Sequence, residues 1–299
     1  MRSTDWLAGL PERPTTRFAP SPTGFLHLGH VAHALWVWGV ARRSGGRVIL
    51  RIEDHDRERC RPEYQSQILA DLEWLGLEPD ADSISSLRND ERSSFRQSDS
   101  GGDYTAAVAA LSRRTQVYGC TCSRSRIAQD ADMGQLQEGR EIPYSGRCRE
   151  AGIAPGPGVV IRVKLPDTSV SFTDLRLGKQ HQTPARQCGD LALADLRGNW
   201  TYQFAVVVDD WRHGIDLIIR GEDLLKSTGR QLLLRELLTG ESPVRVLHHP
   251  LIRDERGRKL NKRDQALSLA AMRSGGMTAR EVKRLAVLRS GLPRELVME

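Results

Sequence analysis

The feature that most constrains the fold is an alternation of strand, turn and helix near the N-terminus. The sequence predicts a short strand over residues 15–19, a helix over 28–43 and a buried strand over 48–52. A strand, a helix and a second strand in this order form a β-α-β unit of the doubly wound kind. We therefore predict an α/β fold with a parallel sheet, whose ligands bind at the carboxyl ends of the strands.

The turn between the first strand and the helix has the features of an anion site. The first amides of the new helix have no partners within the helix and lie at the positive end of its dipole. Gly29 leaves room for a ligand, and His27 and His30 can face it from the first turn. The spacing indicates a phosphate-binding site, and it leaves open that both histidines only cap the helix or lie on the surface.

The complete string from Arg17 to His30, RFAPSPTGFLHLGH, resembles the HIGH signature of class I aminoacyl-tRNA synthetases, in the form used by the glutamyl and glutaminyl branch. This resemblance implies that His27, Gly29 and His30 bind ATP, and that the two histidines are catalytic. It also implies that Arg17 and Ser21 bind the substrate amino acid, which is glutamate in this branch.

The segment RIEDHDR, residues 51–57, follows the second predicted strand. Its composition also fits a solvated loop. It resembles the RIEDTD element of the glutamyl-tRNA synthetases, which implies that Glu53 lies against the amino group of bound glutamate. The implied contact is physically sound, because an ammonium group that leaves water needs a nearby carboxylate.

Residues 200–208, WTYQFAVVV, predict a second strongly buried strand that ends at Asp209 and Asp210. An aromatic residue in such a strand is usually part of the core. The string resembles the family's TYxFAVVVDD, however, which implies that Tyr202 lies in the glutamate pocket.

Residues 216–225 repeat the strand-to-turn pattern and precede a predicted helix over 224–238. The resemblance implies that Arg220, in this turn, binds glutamate together with Arg17. Two guanidinium groups could then meet the two carboxylates of glutamate. The sequence leaves open which arginine takes which carboxylate.

Three of the five cysteines form a candidate metal site. Cys120, Cys122 and Cys148 can bring three thiolates to one soft ion, although three unrelated reduced thiols fit the spacing as well. An odd number of cysteines in an intracellular chain argues against a disulfide framework. The surrounding strings resemble the zinc-binding insertion of the glutamyl-queuosine tRNA(Asp) synthetases, which implies one structural Zn²⁺ per chain with Tyr144 as its fourth ligand.

The same region is predicted to contain antiparallel β structure. Strand patterns lie over residues 159–163 and 169–173, and a hairpin turn follows at 175–178. His181 and Cys188 are the alternative ligands for the metal. Elsewhere the sequence predicts scaffold helices over residues 62–76 and 104–114, joined by a polar loop over 80–103.

The last candidate functional element along the chain is a basic loop, KLNKR, at residues 259–263. Taken alone, its pattern is typical of a solvent-exposed basic loop after a hairpin turn. It resembles the second class I signature, KMSKS, which implies that Lys259 and Lys262 bind ATP and that Lys262 is catalytic. Asn261 and Arg263 depart from the usual signature, which puts the fine geometry of the loop in question. Two short helices are predicted after it, over residues 266–275 and 278–289.

The resemblance covers residues 15 to 290 and implies a class I Rossmann-type catalytic core. Residues 1–115 and 191–245 would be its two halves, 116–190 the zinc-binding insertion, and 246–299 the KMSKS-like loop with a small helical extension. Full-length glutamyl-tRNA synthetases continue into anticodon-binding domains, and we expect no such domain in this protein. The sequence therefore resembles the shorter glutamyl-queuosine branch most.

The implied reaction has two steps. ATP with Mg²⁺ activates L-glutamate to glutamyl-adenylate, and the glutamyl group then moves to the queuosine at the wobble position of tRNA(Asp). The anticodon loop would thus be the acceptor, and we expect a monomer. Two alternatives stay open, namely a minimal glutamyl-tRNA synthetase that charges a tRNA 3′ end and a catalytically idle paralogue that binds RNA.

Composition is compatible with a nucleic-acid partner. The net charge of +6 and the pI of about 9.3 suit a polyanion, although basic balance alone is weak evidence. Charged residues make up 27% of a chain that has no apolar run of membrane-spanning length and no hydrophobic signal core. We therefore expect a cytoplasmic globular protein without a membrane partner.

Overall fold

A computed structural model describes residues 5–89, 92–131, 141–241, 244–252 and 268–297. The strands in these ranges are β1 Thr15–Phe18, β2 Arg47–Leu50, β3 Val117–Cys120, β4 Val160–Val163, β5 Val170–Asp174, β6 Gly178–Gln182, β7 Leu191–Ala194, β8 Leu217–Gly221 and β9 Arg245–His249. The α-helices are α1 Leu28–Arg43, α2 Pro62–Leu75, α3 Ala81–Arg88, α4 Gly101–Ser112, α5 Arg124–Asp130, α6 Pro184–Cys188, α7 Tyr202–Arg212, α8 Leu225–Thr239, α9 Leu269–Ser274 and α10 Ala279–Ser290. Lys259 and Lys262, predicted to bind ATP, lie outside the described residues.

The β-α-β unit predicted at the N-terminus is confirmed. Strands β1 and β2 pair in parallel, with Thr15 opposite Arg47 and Phe18 opposite Leu50, and α1 connects them. Apolar residues cover nearly the whole circumference of α1, so this helix is buried on most sides and forms the centre of the largest core cluster.

Strand β8 lies beside β1, because the amide of Asp216 donates to the carbonyl of Thr15 at 3.2 Å. Strand β8 is the edge strand of a second sheet of order β6-β5-β9-β8, in which β8, β9 and β5 are parallel and β6 is antiparallel. The hairpin turn predicted at 175–178 is present between β5 and β6. The hairpin joins the sheet of β8 and β9, so the architecture is a mixed α/β sheet flanked by helices.

A separate antiparallel sheet follows the order β3-β4-β7. Its first strand, β3, ends at Cys120, and its last strand, β7, precedes β8 and β9 of the larger sheet in the chain. Because β7 pairs with β4, hydrogen bonds connect the segment around the cysteines to residues that follow position 190.

The strand predicted over residues 200–208 is wrong, since this segment forms helix α7. A run of buried apolar residues suits a strand or a helix equally, because neither structure leaves a polar face to set the period. Here the run packs between helices α4 and α8 and against β7. Asp209 and Asp210 therefore lie inside the helix rather than after a strand, and both are buried.

The loop predicted over residues 80–103 is also wrong in its described part. Helix α3 occupies Ala81–Arg88, and the carboxylate of Asp80 accepts from the amide of Asp82. Ser83 is buried, and its hydroxyl accepts from the amide of Leu50 at 3.1 Å. The polar composition misled the prediction, because these side chains bond the backbone instead of remaining in solvent.

The two helices predicted near the C-terminus are present as α9 and α10. Helix α10 packs against α1, where Val282 and Ala286 belong to the same core cluster. The chain also passes very close to α1 after α10, because a Cβ on Gly39 would lie 2.5 Å from the carbonyl oxygen of Leu296. Within the described ranges, no helix combines the length and apolar character needed to cross a membrane.

Candidate active site

A cavity of about 620 Å³ opens at the carboxyl ends of β1, β8 and β9, beside the first turns of α1 and α7. This is the edge of the sheet at which ligands are expected in a doubly wound fold. The described residues predicted to contact glutamate or ATP all line this cavity, namely Arg17, Ser21, His27, Gly29, His30, Glu53, Tyr202 and Arg220. Chain segments up to about 200 residues apart thus converge on one site.

His27 and His30 organise the start of α1. The Nδ1 atom of His27 accepts from the amide of Gly29 at 3.0 Å, and the Nδ1 atom of His30 accepts from the amide of His27 at 3.1 Å. Since Nδ1 is the acceptor in each neutral ring, the proton of each ring is assigned to Nε2. The sequence left capping and ligand binding as alternatives, and the structure shows capping by His27 at the wall of the cavity.

Gly29 is required by the histidine ring beside it. A Cβ at this position would lie 2.8 Å from Cε1 of His27 and 3.0 Å from its Nδ1. These distances are shorter than van der Waals contact, so any side chain at position 29 would displace the ring that caps α1. Here the glycine makes room for His27 as well as for a ligand.

Three elements are joined by ion pairs beneath the cavity. Asp210 of α7 bonds Arg17 of β1 at 3.0 Å and Arg51, which follows β2, at 2.7 Å. Arg51 also bonds Glu53 at 2.9 Å. Although burial alone would raise the pKa of Asp210, the two guanidinium groups lower it to about 2. Sequence analysis assigned no role to Arg51 or Asp210, although Arg51 lies in the string RIED and Asp210 in the string VDD.

Arg220 is surrounded differently. Its guanidinium donates to Thr228 at 2.8 Å, to His248 Nε2 at 3.1 Å and to the side-chain oxygen of Gln231. No carboxylate among the described residues forms an ion pair with it, and burial lowers its pKa. A guanidinium stays charged even so. Among the described residues, the hydrogen-bond partners of this buried cation at the wall of the cavity are therefore neutral.

Tyr202 begins helix α7 and lines the same cavity. Burial, followed by the nearby carboxylate of Glu53, raises the pKa of its phenol. The hydroxyl is therefore neutral near pH 7 and can donate a hydrogen bond to a ligand.

His33 and His249 form a further part of the wall that sequence reasoning missed. His249 Nδ1 lies 2.9 Å from the carbonyl of Pro250, and its Nε2 lies 2.9 Å from Nδ1 of His33. Burial is the main cause that lowers the pKa of both rings, so the pair is neutral near pH 7. For His249, the available sequence signal was the pair of adjacent histidines in the string HHP, residues 248–250.

The predicted metal ligands converge at the end of β3. The sulfur atoms of Cys120, Cys122 and Cys148 all lie within 4.8 Å of one another. The hydroxyl of Tyr144 is 3.3 Å from the sulfur of Cys120 and 3.7 Å from that of Cys122. Burial alone would raise the pKa of the Cys148 thiol, but hydrogen bonds, foremost with Tyr144, lower it to about 7. Three sulfurs and one oxygen around one point suit a soft metal ion.

The alternative ligands do not join this cluster. The thiol of Cys188 bonds the carbonyl of Pro184 at 3.2 Å, and His181 bonds Ser171 at 2.8 Å. Arg162, in contrast, adjoins the cluster, because its guanidinium carbon lies 3.8 Å from the centre of the Tyr144 ring. This buried cation lies where three thiolates and a phenol oxygen would concentrate negative charge.

Comparison with known proteins defines the class. Residues 14–295 match the family of class I tRNA synthetases (E and Q), catalytic domain. The chain therefore belongs to this family of aminoacyl-tRNA ligases, and its α/β fold with mixed sheets is the class I catalytic domain.

Individual relatives narrow the comparison. The glutamyl-Q tRNA(Asp) synthetase of Geobacter sulfurreducens is 42% identical, over 87% of this chain and 80% of that protein. The protein of the same name from Rhodobacter capsulatus is 39% identical, over 90% of this chain and 98% of that protein. The crystal structure of a glutamate tRNA ligase from Elizabethkingia meningosepticum, in complex with its amino acid, matches with a TM-score of 0.70 and 32% identity, over 85% of this chain but 52% of that one.

Proposed function

We propose that this protein activates L-glutamate with ATP and transfers the glutamyl group to the queuosine at the wobble position of tRNA(Asp). The observation that carries the proposal is the buried cation Arg220, which shares one cavity with Glu53 and with the first turn of α1. Such a cavity suits a ligand that bears an amino group and, besides the carboxylate that reacts, a second carboxylate. The relatives named glutamyl-Q tRNA(Asp) synthetase, which this chain matches over most of their length, support the choice of acceptor.

The side-chain carboxylate of glutamate is the partner we assign to Arg220. Arg17 already pairs with Asp210, whereas Arg220 has neutral partners. The α-carboxylate loses its charge when it becomes the acyl adenylate, but the side-chain carboxylate keeps its charge throughout the reaction. A buried guanidinium is therefore compensated at every step only if it binds the side-chain carboxylate. Glutamine, whose amide is uncharged, would leave this cation without a counter-ion.

The other glutamate contacts follow from the same cavity. We propose that Glu53, which Arg51 holds at 2.9 Å, accepts from the α-amino group, and that Arg17, Ser21 and Tyr202 donate to the α-carboxylate. This arrangement would hold the nucleophilic oxygen next to the start of α1. Positioning of this kind can supply about 7–11 kcal/mol of a reaction barrier.

The start of α1 is the proposed site for the phosphates of ATP. The Nε2–H groups of His27 and His30 and the dipole of the helix favour negative charge there. They would stabilise charge on the phosphates while the glutamate oxygen attacks the α-phosphorus and pyrophosphate leaves. Lys259 and Lys262 are proposed as further phosphate ligands from the sequence, and Mg²⁺ is expected to enter with ATP.

The segment around β3 is proposed as a zinc-binding insertion in the catalytic core, and α9 with α10 as a small extension of that core. Cys120, Cys122, Cys148 and Tyr144 would hold one Zn²⁺, and the donor set fits that ion. Four protein ligands leave no open position, so the ion would fix the fold of the insertion rather than take part in the chemistry.

The acceptor decides between the proposed function and a shortened glutamyl-tRNA synthetase. The test is transfer of radiolabelled glutamate, with ATP, to purified tRNA(Asp) with and without queuosine, and to tRNA(Glu) as the control. We expect label only on queuosine-bearing tRNA(Asp). Label on tRNA(Glu) would identify a synthetase that charges a 3′ end, and the absence of glutamate-dependent pyrophosphate exchange would contradict glutamate activation altogether. We further expect a cytoplasmic monomer that contacts the anticodon loop.

A further inference from the structure

We propose that His248, held by Asp174, is a positioning residue that orients Arg220 while leaving its positive charge available to the ligand. The inference rests on the proposed function, because it treats Arg220 as the group that recognises the side-chain carboxylate of glutamate. Neither Asp174 nor His248 lines the cavity. Both side chains are completely buried, at 0% exposure, behind the arginine.

Asp174 is fixed by four backbone and side-chain donors. One of its oxygens accepts from the amides of Arg176 and Leu177 at 3.0 and 2.7 Å, in the turn after β5. The other oxygen lies 3.0 Å from the amide of His248 and 2.7 Å from its Nδ1. A carboxylate can only accept hydrogen bonds, so Nδ1 of His248 must carry the ring proton.

The tautomer set by Asp174 determines what His248 presents to Arg220. Because Nδ1 is protonated, Nε2 of the neutral ring is an acceptor, and it lies 3.1 Å from Nε of Arg220. The other tautomer, or a protonated ring, would direct an N–H group at the N–H group of the guanidinium. Burial lowers the pKa of His248 despite the hydrogen bond with Asp174, which acts in the opposite direction, and the charge of Arg220 adds to the effect of burial.

A neutral acceptor beside Arg220 leaves the charge of the guanidinium available to a ligand, whereas a carboxylate would not. A carboxylate in direct contact with Arg220 would form an internal ion pair and compete with the ligand, as Asp210 pairs with Arg17. The imidazole separates the negative charge of Asp174 from Arg220 and still supplies an oriented acceptor. Thr228 and Gln231 complete this neutral surrounding. We infer that selectivity for glutamate over glutamine depends on His248.

The experiment compares variants by pyrophosphate exchange in the presence of tRNA(Asp), with the Michaelis constants for glutamate and ATP measured separately. His248→Met removes the ring acceptor. Asp174→Asn is isosteric and places an amide donor against Nδ1, which favours the wrong tautomer of His248. His248→Gln keeps an oxygen that can accept from Arg220 and an amide that can donate to Asp174.

We expect His248→Met and Asp174→Asn to raise KM for glutamate about tenfold or more, the scale of one hydrogen bond to a charged group, with KM for ATP within twofold of wild type. Discrimination against glutamine should fall in both, and His248→Gln should restore most of it. His213→Leu is the matched control, because this ring bonds the carbonyl of Ser94 at 3.0 Å away from the cavity. Its KM for glutamate should not change.

The inference is overturned if KM for glutamate in Asp174→Asn stays within twofold of wild type, or if KM for glutamate and ATP rise equally. If His248→Met does not fold, Asp174→Asn decides between the same outcomes. A wild-type protein without glutamate-dependent exchange would instead contradict the proposed function. The two failures are therefore distinguishable.

Discussion

His27 shows how one side chain can start a helix and also line a proposed binding site. Its Nδ1 atom caps α1, and this bond leaves the Nε2–H group as a donor at the wall of the cavity. The neighbouring ring of His30 lies 3.9 Å away between centroids and bonds back to the amide of His27. The geometry of the proposed phosphate site is therefore set by the same bonds that start the helix.

Gly29→Ala tests this dual role. The new Cβ would lie 2.8 Å from Cε1 of His27, so the ring must move and the cap is lost. We expect glutamate-dependent pyrophosphate exchange to fall about tenfold or more, and the unfolding free energy to fall by about 1 kcal/mol. Gly101→Ala is the control, because a Cβ there meets no atom within 4 Å. Equal effects of both substitutions would argue against a specific role for the histidine ring.

Arg220→Ala tests the residue proposed to recognise the side-chain carboxylate. The ligand carboxylate would then be buried without its cation, at a cost of about 3–5 kcal/mol, so we expect KM for glutamate to rise more than a hundredfold. KM for ATP should change much less. Arg230→Ala is the matched control, because Arg230 is also buried but pairs with Glu141 outside the cavity. Unchanged KM for glutamate in Arg220→Ala would remove Arg220 from the pocket.

Among the elements, the antiparallel sheet β3-β4-β7 and the larger mixed sheet position two different sites. The first carries the cysteine cluster, and the second supplies the carboxyl ends around the cavity. Arg162 of β4 lies over the ring of Tyr144 and donates to the carbonyl of Asp190 at 2.8 Å. A cation in this position favours a negatively charged metal site.

Metal removal should distinguish the two sites. We expect one Zn²⁺ per chain by metal analysis, and a strong chelator should lower transfer to tRNA while glutamate-dependent exchange persists, because the lining residues come from other elements. Cys148→Ser should lose the ion, whereas Cys188→Ser should retain it, since Cys188 lies outside the cluster. Wild-type zinc content in Cys148→Ser would contradict the assigned ligand set.

At the scale of the whole molecule, the ion pairs of Asp210 connect β1, the end of β2 and α7. Helix α7 is far from β1 and β2 in sequence, so the buried network joins distant segments of the chain. It also lies directly beneath the cavity, where Arg17 and Glu53 take part in it. The stability of the fold and the geometry of the proposed pocket therefore depend on the same carboxylate.

The pH dependence of stability should reveal this network. The pKa of Asp210 falls from 3.8 to about 2 on folding, so its contribution is complete above pH 3.8 and is lost as the pH decreases towards 2. Asp210→Asn should lower the free energy of unfolding at pH 7 by about 3–5 kcal/mol, and it should flatten the decline between pH 4 and pH 2, as measured by urea unfolding. Wild-type stability at pH 7 would contradict the role of Asp210.

The cavity shows how much of the site could be predicted. Strings such as RFAPSPTGFLHLGH identified residues of β1 and α1 because their neighbours along the chain form the site directly. Asp210 and His248 were not identified as pocket supports, because their partners lie 193 and 74 residues away in sequence. Contacts of this kind leave no local pattern to read.

The sequence by itself determined the β-α-β unit, the resemblance to class I synthetases and those lining residues of the cavity that belong to the family strings, because period, turn residues and strings are local properties. Only the tertiary structure decided that residues 202–212 form a helix, since a run of apolar residues buried on all sides has no period to distinguish the two states. It alone decided that Arg17 is paired with a carboxylate, whereas Arg220 has no ion-pair partner in the part of the chain that the structure describes. Charge balance in a buried pocket depends on which distant side chains meet there, and packing alone brings them together.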